Sequence, residues 1–410
     1  MKRAVSLLLA VMLLTAAMQN PPLAKAEQGG VTRIGDAPEK PAENTAVTLT
    51  DAGLSLGGSS VHYPAVTGMA DEALQQSVNN AILTAGQIES RLTRMTALMS
   101  LPVSIDVSYT AALTGDVLSV AFLADGALET ERSTQAWSAV NIDLRTGESI
   151  SLDALFTDAD AANDAITALI EETIEPELSD HLGAAELLLL PDVFSLTEYA
   201  ITFHYPIQRF ETLAERAGTI TILWSEIAEV LDLSDDSILT RLGVPSQMAF
   251  PADAKETIRQ VLAGGAFPGI PAALGDNVQS LIDTYALLND PDLAGSQRLI
   301  SLEDGAFRGV SLLTDNLTDS LNSSIVQVIR TERLMLCGLM TGRTTQAEWR
   351  EALGEPDSTA NVSADDAESR RMVAGQTDYY ALWENATLCL HADEDGVLKM
   401  VMLMQAENQL

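Results

Sequence analysis

Four histidines and two cysteines are the side chains best suited to proton transfer, nucleophilic attack or metal ligation in this 410-residue chain. His62, His181, His204 and His391 are scattered, and no two stand at the spacing that brings a pair of imidazoles onto one ion. His62, beside Tyr63-Pro64, reads as a partly exposed turn residue without a placed partner. His204 alternates with Tyr199, Ile201, Phe203 and Tyr205, so on a strand it faces away from them. Cys389 and His391 are two apart, which on a strand gives them a common face, a weak metal signal. Cys337 and Cys389 both sit in apolar runs that read as buried strands. An oxidising compartment permits a disulfide between them, and two buried free thiols are the other reading.

The carboxylates are far more numerous. Asp158, Asp160 and Asp164 have the opening rhythm of a calcium loop, which needs an oxygen ligand at its fifth position and glycine at its sixth. Ala162 and Asn163 occupy those places, so the acids fit a helix N-terminus better, where the peptide dipole favours negative charge. Residues 141–190 hold twelve acids and one base, Arg145. Within that run Asp158, Asp160, Asp164, Glu171, Glu172 and Glu175 are the candidate landing patch for a cationic protein. The bland alternative is a solubilising face. The chain has neither Ser-x-x-Lys with Lys-Thr-Gly nor His-Glu-x-x-His, and Gly264-Gly265 lacks the strand-to-helix frame of a phosphate loop. No metal or organic cofactor is expected. A carboxylate pair at glycosidase spacing remains open among 58 acids, although 5% aromatics is little for a sugar-stacking cleft.

A formal charge of −35 repels phosphate backbones, so nucleic acid is a poor partner. Apolar content of 47% is enough for sizeable cores. Lys2 and Arg3, the apolar run 4–18 and the small residues of Ala24-Lys25-Ala26 predict a signal peptide over 1–26, cleaved before Glu27. The apolar run is shorter than the ~20 residues a spanning helix needs. The mature protein is therefore expected outside the cytosol, secreted or in a bacterial cell envelope, without stable membrane insertion.

The elements follow from periodicity. Residues 27–46 predict a flexible leader. Short strands broken by Gly57-Gly58 precede one long amphipathic helix, with Leu74, Val78, Ile82, Ile88, Leu92 and Met95 on its stripe and Gly86 as a weak point. A hairpin turns at Thr114-Gly115-Asp116, and a strand over 136–144 ends at Thr146-Gly147. A second helix opens at Asp158–Asp160, two strands follow, and Ser225 is the expected cap of a short helix over 226–231. Residues 47–233 therefore predict an α+β domain of helices packed on antiparallel sheet, divisible at 47–125 and 136–233. Residues 234–252 read as a linker. Over 253–410 a smaller α+β domain is expected, built from two helix-plus-meander repeats, 265–330 and 331–410. Leu288-Asn289-Asp290-Pro291-Asp292 is echoed by Leu353-Gly354-Glu355-Pro356-Asp357. The strands 310–314 and 325–329 of the first copy are matched to 379–383 and 397–404 of the second.

Several spaced motifs carry a resemblance. Val61-His62-Tyr63-Pro64-Ala65-Val66 with Gly68, Asn141-x-Asp143-Leu144-x-Thr146-Gly147, Ile201-x-Phe203-x-Tyr205-Pro206 and Ser225-Glu226-Ile227 fall in the order of an extracellular bacterial domain. That domain is shared by lysozyme-sensing anti-sigma factors and the N-terminal part of a peptidoglycan deacetylase, and the match spans 47–233. The C-terminal part more loosely resembles tandem β-lactamase-inhibitor-like repeats. The deacetylase activity is not implied, because its zinc ligands, an Asp with His-x-x-x-His, have no counterpart here. The resemblance implies an exported, non-enzymatic envelope protein that binds a cationic protein such as a lysozyme, or a peptidoglycan fragment. An envelope hydrolase with an unrecognised carboxylate site and a structural spacer are the alternatives.

Overall fold

Glycine pairs and Asp-rich turns place the strands of the first sheet. In the computed structural model, residues 47–98, 103–128, 131–173, 190–205, 219–285, 292–294, 297–302, 307–314 and 324–405 are described. The expected signal peptide and leader, Glu175, His181, and Leu288 to Pro291 lie outside them. β1 (Thr48–Leu56) and β2 (Ser59–Thr67) form a hairpin through Gly57 and Gly58, whose φ values of 60° and 85° suit a two-residue turn. β3 (Val103–Thr114), β4 (Val117–Leu128), β5 (Glu131–Asp143) and the short β6 (Glu148–Ser149) continue the sheet in sequence order. Only the β2–β3 pairing is parallel.

The long helix expected over the first sheet is two helices, α1 (Glu72–Ala85) and α2 (Ile88–Leu98). Asp71 caps α1, its Oδ1 accepting from the N–H groups of Ala73 and Leu74. The break falls at Gly86-Gln87, where Gln87 takes φ 48°. A methyl group on Gly86 would lie 3.0 Å from the Phe122 ring and 2.8 Å from Ile88, so the chain passes this point only without a side chain. Beyond the break the stripe still works. Val78, Ile82, Ile88 and Met95 are buried against Val61, Val107, Val120 and Phe122.

A second core forms around α3 (Ala159–Thr173), a three-stranded sheet of β7 (Phe194–Leu196), β8 (Ala200–His204) and β9 (Thr219–Leu223), and the turn that follows. That turn, Trp224–Val230, is 3-10 rather than α-helical. Its cap is not Ser225, which is buried, but Leu223, whose N–H donates to the Glu226 side chain at 2.8 Å. The stretch 234–252, expected as a linker, is packed structure. α4 (Ile238–Arg241) and α5 (Val244–Met248) bury Leu239, Leu242 and Val244 in the second core. Pro245 and the acids that suggested a linker instead suit helix starts: Ser237 caps α4, and Pro245 lies in the first turn of α5.

The C-terminal part is an eight-stranded antiparallel sheet, with most of its helices on one face and the inserted helix Ala364–Arg370 at the other. The first unit is α7 (Val278–Tyr285) with β10 (Asp292–Ala294), β11 (Gln297–Ile300), β12 (Val310–Thr314) and β13 (Val326–Thr331); α6 (Ala254–Val261) precedes it. The second is α8 (Gln346–Leu353) with β16 (Ser358–Val362), β17 (Gly375–Trp383), β18 (Ala386–Asp393) and β19 (Leu398–Gln405), plus an inserted α9 (Ala364–Arg370). The spatial order β10-β11-β12-β13-β19-β18-β17-β16 mirrors one unit on the other across the β13–β19 pair. Hydrogen bonds repeat as well. Val278 N–H donates to Ser324 O, and Gln346 N–H to Gly396 O; the isolated bridges Asn277–Ile325 and Thr345–Val397 are equivalent. The two units repeat one arrangement of elements, in which β12 answers to β18 and not, as expected, to the 379–383 strand. A small hairpin, β14 (Met335–Leu336) and β15 (Leu339–Met340), joins the units.

Candidate functional site

The start of α3 gathers the predicted acids. Asp158 is its cap, accepting at Oδ1 from the N–H groups of Asp160 and Ala161 at 3.0 and 3.1 Å. Ala162, Ile166 and Ile170 turn into the second core, which leaves Asp160 and Asp164 on the exposed side. Glu171 and Glu172 occupy the last turn of the helix, and Glu175 lies beyond the described residues. Phe156 bridges Leu231, and Asp232 N–H donates to Leu155 O at 3.0 Å, so Asp232 adjoins the same end. Between these segments opens a notch of about 280 Å³. Its walls are Leu152, Phe156, Ala159, Ile166 and Leu190, with Asp153 and Asn163 as the polar members. Arg145, the lone base of this stretch, is turned away, 3.2 Å from Asp116 and 3.0 Å from Asp236. The arrangement is an apolar notch with Asp153 and Asn163 as its polar members, on a helix start that exposes Asp158, Asp160 and Asp164. It suits a cationic side chain with an aliphatic or aromatic body.

The nearest approach to catalytic geometry lies elsewhere. His204 Nε2 is 2.9 Å from Ser195 Oγ, and the Trp137 ring stacks on the imidazole at 4.4 Å. Acyl transfer by such a pair needs a third group that orients and charges the imidazole through its other nitrogen. Here, among the described residues, the buried Nδ1 meets no partner, nor does Trp137 Nε1. Burial pushes the His204 pKa down to about 4, which makes it a weak proton acceptor at neutral pH. The neighbours identify the cluster as a joint between sheets. Asn141 Nδ2 donates to Phe194 O at 2.9 Å, and Leu196 N–H to Ser119 Oγ at 2.8 Å. Gly53-Leu54-Ser55-Leu56-Gly57 has the spacing of a nucleophile elbow, a pattern visible in the sequence, but Ser55 lies in the β1–β2 hairpin and no helix follows it.

His62 sits within β2, half-exposed, and not in a turn; its Nδ1 is 3.1 Å from Asp51 Oδ2. Asp143 of the Asn141-x-Asp143 motif holds the fold, with Asp116 beside it. Arg241 bonds Asp143 through two nitrogens, at 3.0 and 2.7 Å, and Asp116 at 2.7 Å. Burial raises the Asp143 pKa, but the bonds from Arg241 and the Arg145 N–H outweigh it and hold the carboxyl below its usual range. Both strands of the β4–β5 pair are thereby tied to α4 at one end of the pair.

The cysteines do not meet. Cys337 occupies the β14–β15 turn at φ 47°, buried in the core under the helices, with its N–H 3.2 Å from Gln247 Oε1. Cys389 belongs to a smaller core containing Tyr379 and Met402, while its strand neighbours Leu388 and Leu390 face the core that holds Cys337. The two thiols therefore lie on opposite faces of the eight-stranded sheet, both are free, and the disulfide that the sequence permits is not formed. Burial, with Glu198 nearby, pushes the Cys337 thiol up to about 11, and burial pushes Cys389 higher still, so neither is poised as a nucleophile. Among the described residues no group of three His, Cys, Asp or Glu side chains converges as a metal site, and no helix is long and apolar enough to cross a membrane. His391, buried with Cys389, has both ring nitrogens engaged, by Thr377 Oγ1 and Val373 O at 2.9 Å each.

No protein-family profile matches the chain, and no curated protein matches it. Two solved structures are similar to part of it. A member of the DUF3298 family from Bacteroides fragilis is 15% identical with a TM-score of 0.36, covering 48% of this chain and 96% of that one. A DUF3298 family protein from Pseudomonas aeruginosa PAO1 is 10% identical with a TM-score of 0.31, covering 46% of this chain and 94% of that one.

Proposed function

We propose that this chain is an exported cell-envelope protein that works by binding rather than by catalysis, and that its partner is a cationic protein. The observation that carries the reading is the notch at the start of α3, with apolar walls and Asp153 and Asn163 as its polar members, on a helix start whose Asp158, Asp160 and Asp164 are exposed. Its one basic neighbour in sequence is committed to other acids. The resemblance of 47–233 to a lysozyme-sensing domain supports a basic muramidase as the first partner to try. The field of a chain at −35 accelerates encounter with such a partner, and the notch gives the encounter a place to stop.

The test is a titration against hen-type lysozyme at low and at physiological ionic strength. Binding at low salt should weaken by about tenfold or more at the higher salt. Asp158→Asn/Asp160→Asn/Asp164→Asn should slow association with little change in melting temperature. Absence of binding at low salt rejects the muramidase. Binding that the triple variant leaves untouched rejects the notch.

A further inference from the structure

β19 is buried on both faces, and the faces differ in chemistry. Val401 and Leu403 enter the large core under the helices, whereas Met400, Met402 and Met404 line the other side. Close packing accounts for branched aliphatics on the first face; it gives no reason for thioethers alone on the second. Cys389 stands directly across from Met402 in the β18–β19 register, and its Sγ is 3.1 Å from Met404 Sδ. Two soft sulfur atoms are thus in contact, and Met402, opposite Cys389 in the same small core, brings a third donor to that face of the sheet; all three residues are at most 1% exposed.

The geometry points to a site for a soft monovalent cation, cuprous copper or its analogue silver(I), held by Cys389, Met402 and Met404. Thiolate and thioether donors select such ions over zinc, magnesium or calcium, and no carboxylate or free imidazole joins the set. His391 is occupied by its own hydrogen bonds. Charge argues the same way. The metal displaces the Cys389 thiol proton to solvent as the metal–sulfur bond forms, so one positive charge enters and one leaves. The resulting thiolate complex is neutral, which an apolar core tolerates. A divalent ion would leave a net positive charge beside the guanidinium of Arg330, whose Nε lies 3.3 Å from Met400 Sδ. No electron transfer is involved, because the ion arrives already monovalent.

Silver nitrate in chloride-free buffer is the probe, titrated into the full chain with calorimetric and proton-release readouts. Cys337→Ser, which keeps Cys389, should bind one equivalent and release one proton; Cys389→Ser, which keeps Cys337, should bind about tenfold or more weakly. Met404→Leu nearly conserves volume and should also weaken binding by about tenfold with its fold intact by circular dichroism. Zinc chloride should bind none of these forms at this site. Equal silver affinity in the two cysteine variants overturns the assignment. So does undiminished affinity in Met404→Leu, which also decides the matter if Cys389→Ser does not fold.

Discussion

His204 is neutral in the fold because burial disfavours its cation and Nδ1 has no partner to repay the loss. Its pKa of about 4 lies below the ordinary value of 6.5, so the unfolded chain takes up the proton first. Stability is therefore complete above about pH 6.5 and is lost as pH falls toward 4, by about 3 kcal/mol across the window. His204→Gln should flatten that part of the melting-temperature profile, as differential scanning fluorimetry at stepped pH would show; an unchanged slope would place the acid sensitivity elsewhere. Arg241 offers a second residue-level test. Arg241→Ala leaves Asp143 and Asp116 partly buried with only the half-exposed Arg145 as cation, and should cost about 2 kcal/mol by urea unfolding. The alternation of His204 against Ile201 and Phe203 was legible in the sequence. Its contact with Ser195 and Trp137 was not, because that contact depends on how two sheets meet.

Helices and strands were largely visible as periodicity, and the misreadings share a cause. The Leu74-to-Met95 stripe is continuous, yet close approach of Gly86 to Phe122 splits the helix; only the three-dimensional neighbour makes that glycine decisive. Local polarity disguised 234–252, whose Leu239, Leu242 and Val244 are buried in the second core. In the repeats the helix and last strand were found in each copy, but strand pairing was misassigned because β18 had been recognised only as a buried run around Cys389. The β14–β15 turn gives a prediction at this scale. Gly338 has φ 89°, and a Cβ there would meet the Phe250 backbone nitrogen at 2.7 Å. Gly338→Ala should lower stability by about 2 kcal/mol or more through strain and clash, measured by chemical denaturation.

The halves of the described chain are coupled by specific bonds. Arg333, after β13, donates to Glu226 at 2.7 and 2.6 Å and to Thr221 O; Arg343 reaches Glu229; Met335 enters the second core. A chain cut back to 47–233 loses Arg333, Met335 and the buried Leu239, Leu242 and Val244. The three aliphatics alone account for about 6 kcal/mol of burial, comparable to the net stability of a small domain. Such a fragment should show no cooperative thermal transition, whereas the full chain should; near-ultraviolet dichroism distinguishes the two. The candidate site was half legible: the acids and the start of α3 stood out in the sequence, but the notch did not, since Leu190 reaches it from a distant segment.

β19 is the last strand among the described residues, yet it occupies the middle of its sheet, between β13 and β18. During synthesis the earlier strands must wait on the ribosome with open, sticky borders until this segment emerges. Premature termination before residue 398 would therefore not trim a margin but leave two unmated halves, each exposing the template on which aggregation starts.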